Sequence, residues 1–407
     1  MALARPAGAL YTVPMLNKVS SVAAPLWILA CSSAAVMADG PFYGDPPDAT
    51  HPWAVHDMNR PQPPVVTAGT FSSAAQPGRP PSDAIILFDG TAATLAKWEA
   101  DKTPAEPTKW IVKDSSLQCV PGSGYIRTKE SIGDCQLHVE WAAPTKVEGG
   151  SQGRGNSGIF LMGQTEIQVL DNYNNPTYAD GAAGSVYGVN PPFANALNAP
   201  GEWQVYDIIF RRPVFKDGVM LDSGHFTVML NGVVVQDATP LEGGGGHRGR
   251  SKDHPLLDKG PLKLQDHGNP VRYRNIWYRP LPPRAVNGGD MGAMSPAACT
   301  AKKSVIAKTI RTDAAKLQGQ PKLLRLMESL CYDQDAATGK VVQAGISDWI
   351  SAMRKTPAPA MEAKKGEIIY MRNAVAYLTN FKFLPAEFTA ITEINQIIKD
   401  NGWEEKK

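Results

Sequence analysis

The chain has 407 residues, of which 43% are hydrophobic and 20% charged, with 41 basic against 39 acidic side chains. That length and apolar content suffice for two globular domains with cores of their own, and they exclude an intrinsically disordered chain. A formal charge of +2 supplies no long-range field to gather nucleic acid or anionic lipid, which argues against polyanionic partners.

At the N-terminus, Arg5 and Lys18 precede an apolar stretch from Val19 to Ala38 that holds Leu26, Trp27, Ile28 and Leu29 and closes on Val36-Met37-Ala38. This is the pattern of a secretory signal over residues 1–38, cleaved near Ala38. Ile28-Leu29-Ala30-Cys31 is an imperfect lipoprotein box that would instead leave an acylated Cys31 as the mature N-terminus, but Leu29 stands where a smaller residue is usual. Pro25 argues against an uncleaved anchor helix. The expectation is a periplasmic or secreted protein with no transmembrane span after cleavage. In an oxidising compartment the simplest pairing is Cys119 with Cys135 and Cys299 with Cys331, with buried free thiols as the alternative. No CxxC or zinc-like spacing occurs.

Residues 39–83 are crowded with proline, from Pro41, Pro46 and Pro47 to Pro77, Pro80 and Pro81, and read as an extended segment. His51, Trp53, His56 and Asp57 within it fit a stretch packed on a domain surface better than a metal or ligand site. From Ala84 short β-type runs follow one another: Ile85 to Phe88, Trp110 to Val112, Leu117 to Val120, Cys135 to Trp141, Gly158 to Met162, Glu166 to Leu170, Trp203 to Phe210, Phe226 to Leu230, Val233 to Gln236, Leu262 to Gln265 and Val271 to Tyr278. Many short strands at this spacing predict an antiparallel β-sandwich or jelly roll over residues 84–283. Asn231-Gly232 between two apolar runs is its clearest hairpin signal.

After a linker over residues 284–298 the apolar period changes from two to about 3.6 residues. Val305, Ile306 and Ile310 fit one stripe; Leu323, Leu326, Met327 and Leu330 another; then Ile346, Trp349, Ile350 and Met353; Ile368, Met371, Val375 and Leu378; and Phe388, Ile391, Ile394 and Ile398. Residues 299–407 therefore read as a small helical domain without a catalytic constellation. Asp333-Gln334-Asp335 lacks the glycine and glutamate that a calcium loop needs and reads as a capped turn.

Alternation along the strands sorts polar residues onto faces. His138 and Glu140 share one face opposite Leu137, Val139 and Trp141. Glu166 and Gln168 lie opposite Ile167 and Val169, and Gln265 and His267 project together. Polar outer faces are ordinary in a sandwich. Glutamate, glutamine, histidine and the Asn156-Ser157-Gly158 turn are nevertheless groups that bind hydroxyls and move protons.

Taken in order, Leu87-Phe88-Asp89-Gly90 with Trp98, Val139-Glu140-Trp141, Asn156-Ser157-Gly158-Ile159, Glu166-Ile167-Gln168-Val169-Leu170-Asp171, Gly184-Ser185-Val186-Tyr187, Pro200-Gly201-Glu202-Trp203, Asn231-Gly232, Leu264-Gln265-Asp266-His267-Gly268 and Arg274-Asn275-Ile276 resemble the 3-keto-disaccharide hydrolase family. The resemblance spans about Ala84 to Leu281 and covers neither the proline-rich segment nor the helices. It implies a concanavalin A-like jelly roll whose concave face binds a sugar, and cleavage of glycosides whose C3 hydroxyl has been oxidised to a ketone. It also implies a functional link to a sugar 3-dehydrogenase that makes such a substrate. A C3 ketone acidifies the C2 proton, so one base, one acid and an enolate stabiliser suffice for elimination of the C1 substituent, followed by hydration.

On this reading His267 or Glu166 takes the C2 proton and Glu140 assists the leaving oxygen, while Gln168, Gln265, Asn156, Arg274 and Tyr187 hold hydroxyls or the enolate. Asp171 and Asp266 are turn or supporting groups. No cofactor is required; a divalent ion bridging substrate oxygens is compatible with the chemistry, although no ligand spacing demonstrates one. The insert with Gly243 to Gly246, His247, Arg248 and Arg250 is expected near the site. Two alternatives stand beside this reading. One is a conventional glycoside hydrolase using Glu166 with Asp171, or Glu140 with Glu166; the other is a lectin-like module that binds a glycan without turnover.

Overall fold

The computed structural model describes residues 42, 44–241, 247–249 and 259–404. The expected signal segment, Cys31, Gly243 to Gly246 and Arg250 lie outside the described residues. In chain order the strands are β1 (Ile85–Phe88), β2 (Trp98–Ala100), β3 (Ile111–Lys113), β4 (Ser116–Gln118), β5 (Ile126–Ile132), β6 (Cys135–Ala142), β7 (Ser157–Leu161) and β8 (Thr165–Val169). They continue with β9 (Gln204–Arg211), β10 (Val214–Lys216), β11 (Val219–Asp222), β12 (His225–Leu230), β13 (Val233–Pro240), β14 (Gly260–Leu264) and β15 (Arg272–Pro280). The helices are α1 (Ala92–Leu95), α2 (Pro296–Ala314), α3 (Gly319–Leu330), α4 (Ala336–Arg354), α5 (Ala358–Met361), α6 (Lys365–Asn380) and α7 (Ala390–Asp400).

Two antiparallel sheets face one another. The eight-stranded sheet runs β13-β12-β9-β6-β15-β4-β3, with β1 also paired to β15; the five-stranded sheet runs β2-β5-β14-β7-β8. Alternate residues of both sheets, among them Leu137, Val139, Trp141, Ile159, Leu161, Ile167, Val169, Tyr206, Leu262 and Leu264, meet in one buried core. This is the predicted jelly-roll sandwich. Asn231 and Gly232 take φ of 51° and 81° between the paired Leu230 and Val233, as a type I′ hairpin requires.

One irregularity aims several side chains. Between Arg274, opposite Glu140, and Trp277, opposite His138, strand β15 holds one residue more than β6. Asn275 absorbs this bulge with φ of 49°, a conformation that asparagine tolerates better than most residues. Arg274 and Asn275 consequently both reach Glu140.

The helices enclose a second core containing Ile306, Ile310, Met327, Val342, Ile346, Ile350, Met371, Val375 and Ile394. Val305, expected on the first stripe, is 63% exposed, because it sits one residue and about 100° around the helix from Ile306. Asp335 caps α4 by accepting from the Thr338 N–H, in keeping with a capped turn. The proline-rich segment is not a free tether. Phe42 and Trp53 pack on the helical core, and Asp57 and Asn59 bond to Tyr332, Glu328 and Arg325. Further along, Ser72 to Gly78 lies across the outer face of the eight-stranded sheet, bonded to Glu140, Arg274 and Asn275.

The expected disulfides are absent: Cys119, Cys135, Cys299 and Cys331 are all buried free thiols. Cys119 and Cys135 belong to the sandwich core, and Cys119 lies close enough to Asp266 for a side-chain hydrogen bond. Burial pushes the Cys135 thiol up to about 12, so it behaves as a small core hydrophobe. Among the described residues no helix is long and apolar enough to cross a membrane.

Candidate active site

The outer face of the five-stranded sheet is built by outward positions of neighbouring strands. On β8 the core takes Ile167 and Val169, which turns Glu166 and Gln168 outward. On β7 the outward positions are Gly158 and Phe160; just beyond β14 comes Gln265, and just ahead of β5 comes Tyr125. The registers Gly158 with Gln168 and Phe160 with Glu166 bring these groups side by side.

Glu166 is the centre of the cluster. Its carboxylate lies directly over Gly158: a Cβ there would stand 2.1 Å from Glu166 Oε1. Glu166 is 8% exposed, and burial pushes its carboxyl up to about 8. With its amide nitrogen turned toward its acceptors, Gln168 donates to Glu166 Oε1 at 3.1 Å and to the Ser157 carbonyl at 2.9 Å. Gln265 Nε2 donates to the Tyr125 hydroxyl at 2.7 Å, and Tyr125 packs against Phe160 with ring centroids 5.9 Å apart. Asn156 Nδ2 donates to the Gln152 carbonyl at 2.7 Å. Asn156 Oδ1 and Gln265 Oε1 are buried without a hydrogen-bond partner among the described residues. Buried acceptors of this kind, left without a protein donor, are available to a ligand's hydroxyls.

Beside Glu166 runs the loop of Tyr178 and Tyr187. The Tyr187 N–H donates to the Glu166 carbonyl at 3.1 Å, which ties the loop to β8. The two tyrosine hydroxyls are 2.7 Å apart, and His247 Nδ1 lies 3.4 Å from that of Tyr187. Burial and the Tyr178 hydroxyl raise Tyr187 well above its ordinary range, so it can donate a proton but does not act as a base. These residues, with Asp180 and Arg248, line a pocket of about 560 Å3. Two residues of the insert, His247 and Arg248, thus line the pocket beside Tyr187.

The remaining candidates separate from this cluster. Glu140 and Arg274 lie on the outer face of the other sheet, with the sandwich core between them and Glu166. Glu140 accepts from Ser72 Oγ at 2.6 Å, Arg274 Nε at 2.7 Å and Asn275 Nδ2 at 2.7 Å. Burial would raise its carboxyl, but these donors and His138 hold it below its ordinary value. The expectation that Glu140 and Glu166 serve one sugar is therefore corrected: face-to-face sheets are about 10 Å apart, and these side chains point outward from both. His267 is not on β14, which ends at Leu264; it is exposed in the turn before Gly268. Asp171 is held by Arg154 at 2.7 and 3.0 Å, and Asp266 accepts from the N–H groups of Gly124 and Gly268, each at 2.9 Å. Both are structural groups. Among the described residues no cluster of three or more His, Cys, Asp or Glu is placed to hold a metal ion.

Tyr125, Gln152 and Tyr178 escaped the sequence reading. Tyr125 stands just ahead of β5, whose alternation is disturbed by an irregular register with β14 between Pro261 and Lys263, and the other two lie on loops without a period.

A jelly-roll sandwich carrying an acid, amides and tyrosines on one sheet face offers chemistry that suits a carbohydrate ligand. A family model described as the 3-keto-alpha-glucoside-1,2-lyase-like domain matches residues 83–279, and the chain belongs to that family through this domain. A solved structure from Parabacteroides distasonis ATCC 8503, provisionally named a glycosyl hydrolase, is 44% identical over 55% of this chain and 93% of its own, with a TM-score of 0.49. A second protein of that organism and provisional name is 20% identical over 49% of this chain and 94% of its own, with a TM-score of 0.36. Alginate lyase Aly36B is 10% identical over 49% and 96%, with a TM-score of 0.30. No curated protein matches the chain.

Proposed function

We propose that the protein cleaves the glycosidic bond of 3-keto-glycosides by elimination across C1 and C2, with Glu166 as the base. The single observation that carries this reading is a buried carboxyl, raised to about 8, set on a sheet face among amides and tyrosine hydroxyls. Deprotonated Glu166 takes the C2 proton, and the electron pair passes into the C3 carbonyl as an enolate. When the ketone re-forms, the C1–C2 double bond forms, the C1–O bond breaks, and the departing oxygen takes a proton. Tyr187, which remains protonated and bonds to the Tyr178 hydroxyl, is assigned as the donor of that proton. Water adding at C1, with a proton returned to C2, gives the free 3-keto sugar. Asn156 Oδ1 and Gln265 Oε1 accept from sugar hydroxyls, and Gln168 steadies the Glu166 carboxylate. A single carboxylate suffices for this route, whereas a conventional glycosidase needs a pair flanking the bond. Glu140 lies on the opposite face and Asp171 is committed to Arg154.

Turnover of a 3-keto glucoside in deuterium oxide tests the route. At the first time points the released sugar carries deuterium at C2 beyond an enzyme-free control; retention of the original C2 proton would mean direct displacement at C1 and overturn the reading. Export to the periplasm or cell exterior belongs to the same proposal and rests on the N-terminal pattern alone.

A further inference from the structure

The outer face of the eight-stranded sheet carries a cavity that the reading above does not use. Its volume is about 770 Å3, within the roughly 300–1,000 Å3 of small-ligand sites. The proline-rich segment forms one wall, with Phe71 at its rim; Gln136 and Asp207 form part of the floor, and Trp203 stands at the far side. Ser72, bonded to Glu140, fixes that wall in place. The segment lies ahead of the matched family domain, so this wall of the cavity stands outside the match.

The chemistry of the lining selects a ligand class. Its innermost charges compensate one another, with His138 Nδ1 2.7 Å from Asp207 Oδ1, so they do not favour an ion. Asp207 Oδ2 and Gln136 Nε2 take part in no hydrogen bond among the described residues, while Asp207 Oδ1 faces His138 and Gln136 Oε1 accepts from Arg279 at 3.0 Å. Because His138 is opposite Asp207 and Gln136 opposite Ile209, this acceptor and this donor are diagonal neighbours on β6 and β9. Such neighbours stand about 7–8 Å apart, a gap that suits a ring bearing several hydroxyls. Two aromatic side chains flank them. The Phe71 ring is fully exposed, and Trp203, with the Arg274 and Arg272 guanidinium groups 4.1 and 5.3 Å from its ring centroid, is half-buried in the cavity wall. An aromatic face beside planar acceptors and amide donors suits a pyranose, whose C–H faces stack while its hydroxyls bond at the edge.

We propose that this cavity is a second saccharide site, which binds a neutral oligosaccharide on the side of the sandwich away from Glu166. Asp207 and Gln136 bond to its hydroxyls, and Phe71 stacks on a ring, with Trp203 as the wall beyond. The proposal does not rest on elimination chemistry at Glu166. Calorimetric titration of the full chain with cellohexaose, maltohexaose and xylohexaose tests it. At least one of the three binds, and Phe71→Ala and Gln136→Ala each weaken that binding about tenfold, whereas Gln168→Ala on the opposite face leaves it unchanged. Phe71 is fully exposed, so its replacement reads out binding without disturbing the core. Absence of binding by all three, or binding that Gln168→Ala removes and Phe71→Ala spares, overturns the proposal.

Discussion

Glu166 is costly to ionise where it stands, and that cost has two measurable signs. Its carboxyl titrates near 4.5 when unfolded and at about 8 when folded, so the folded state holds a proton that the unfolded state has lost between those values. Stability therefore falls as pH rises from about 4.5 to about 8, and Glu166→Gln, which cannot ionise, gains melting temperature over the wild type at pH 8 but not at pH 4. Activity has the opposite slope. As a base Glu166 works only when deprotonated, so kcat/KM rises with pH and levels off above about 8, and Glu166→Gln loses roughly 100-fold or more in kcat. A pH profile that falls over this range would assign Glu166 the role of an acid. Gly158 is the other decisive residue: Gly158→Ala forces the overlying carboxylate aside, so activity drops at least tenfold while thermal stability changes much less. A variant as active as the wild type would show that Glu166 need not hold this position.

At the scale of the elements, period-two alternation revealed which residues share a strand face, but not which sheet a strand joins. Glu140 and Glu166 both read as outward polar residues, yet β6 lies in the eight-stranded sheet and β8 in the five-stranded one, and only long-range pairing decides that. His267 was misread for a local reason, since β14 ends at Leu264 and alternation cannot be extrapolated past a strand end. The bulge at Asn275 was likewise invisible in a sequence that gives no sign of left-handed backbone there. The cluster it builds carries a prediction of its own. Burial alone would lower the His138 pKa, but Asp207 and Glu140 outweigh it and raise the imidazole to about 8. A raised pKa of this kind stabilises the fold fully below the unfolded value of about 6.5, and the contribution is lost as pH rises through about 8. His138→Gln should therefore cost about 1–3 kcal/mol by denaturant unfolding at pH 6 and much less at pH 9. An equal cost at both pH values would mean that packing on Trp277, not charge, is what His138 contributes.

Over the whole molecule, the sandwich and the helical region were legible because each keeps one hydrophobic period for many residues, two in the strands and about 3.6 in the helices. The proline-rich segment has neither period, and its role is visible only in the fold: its first part packs on the helical core and its later part crosses the eight-stranded sheet. Export predicted disulfides that the structure lacks, because cysteine count says nothing about whether core positions bring sulfurs together. The jelly roll carries Glu166 on the outward face of its five-stranded sheet, and the function proposed for it is elimination on a 3-keto sugar. The most direct test is to incubate the purified protein in parallel with a 3-keto glucoside and the same glucoside unoxidised, following release of the aglycone. Release from the keto form alone is the result predicted; release from the unoxidised glucoside, or from neither, would contradict elimination at this site.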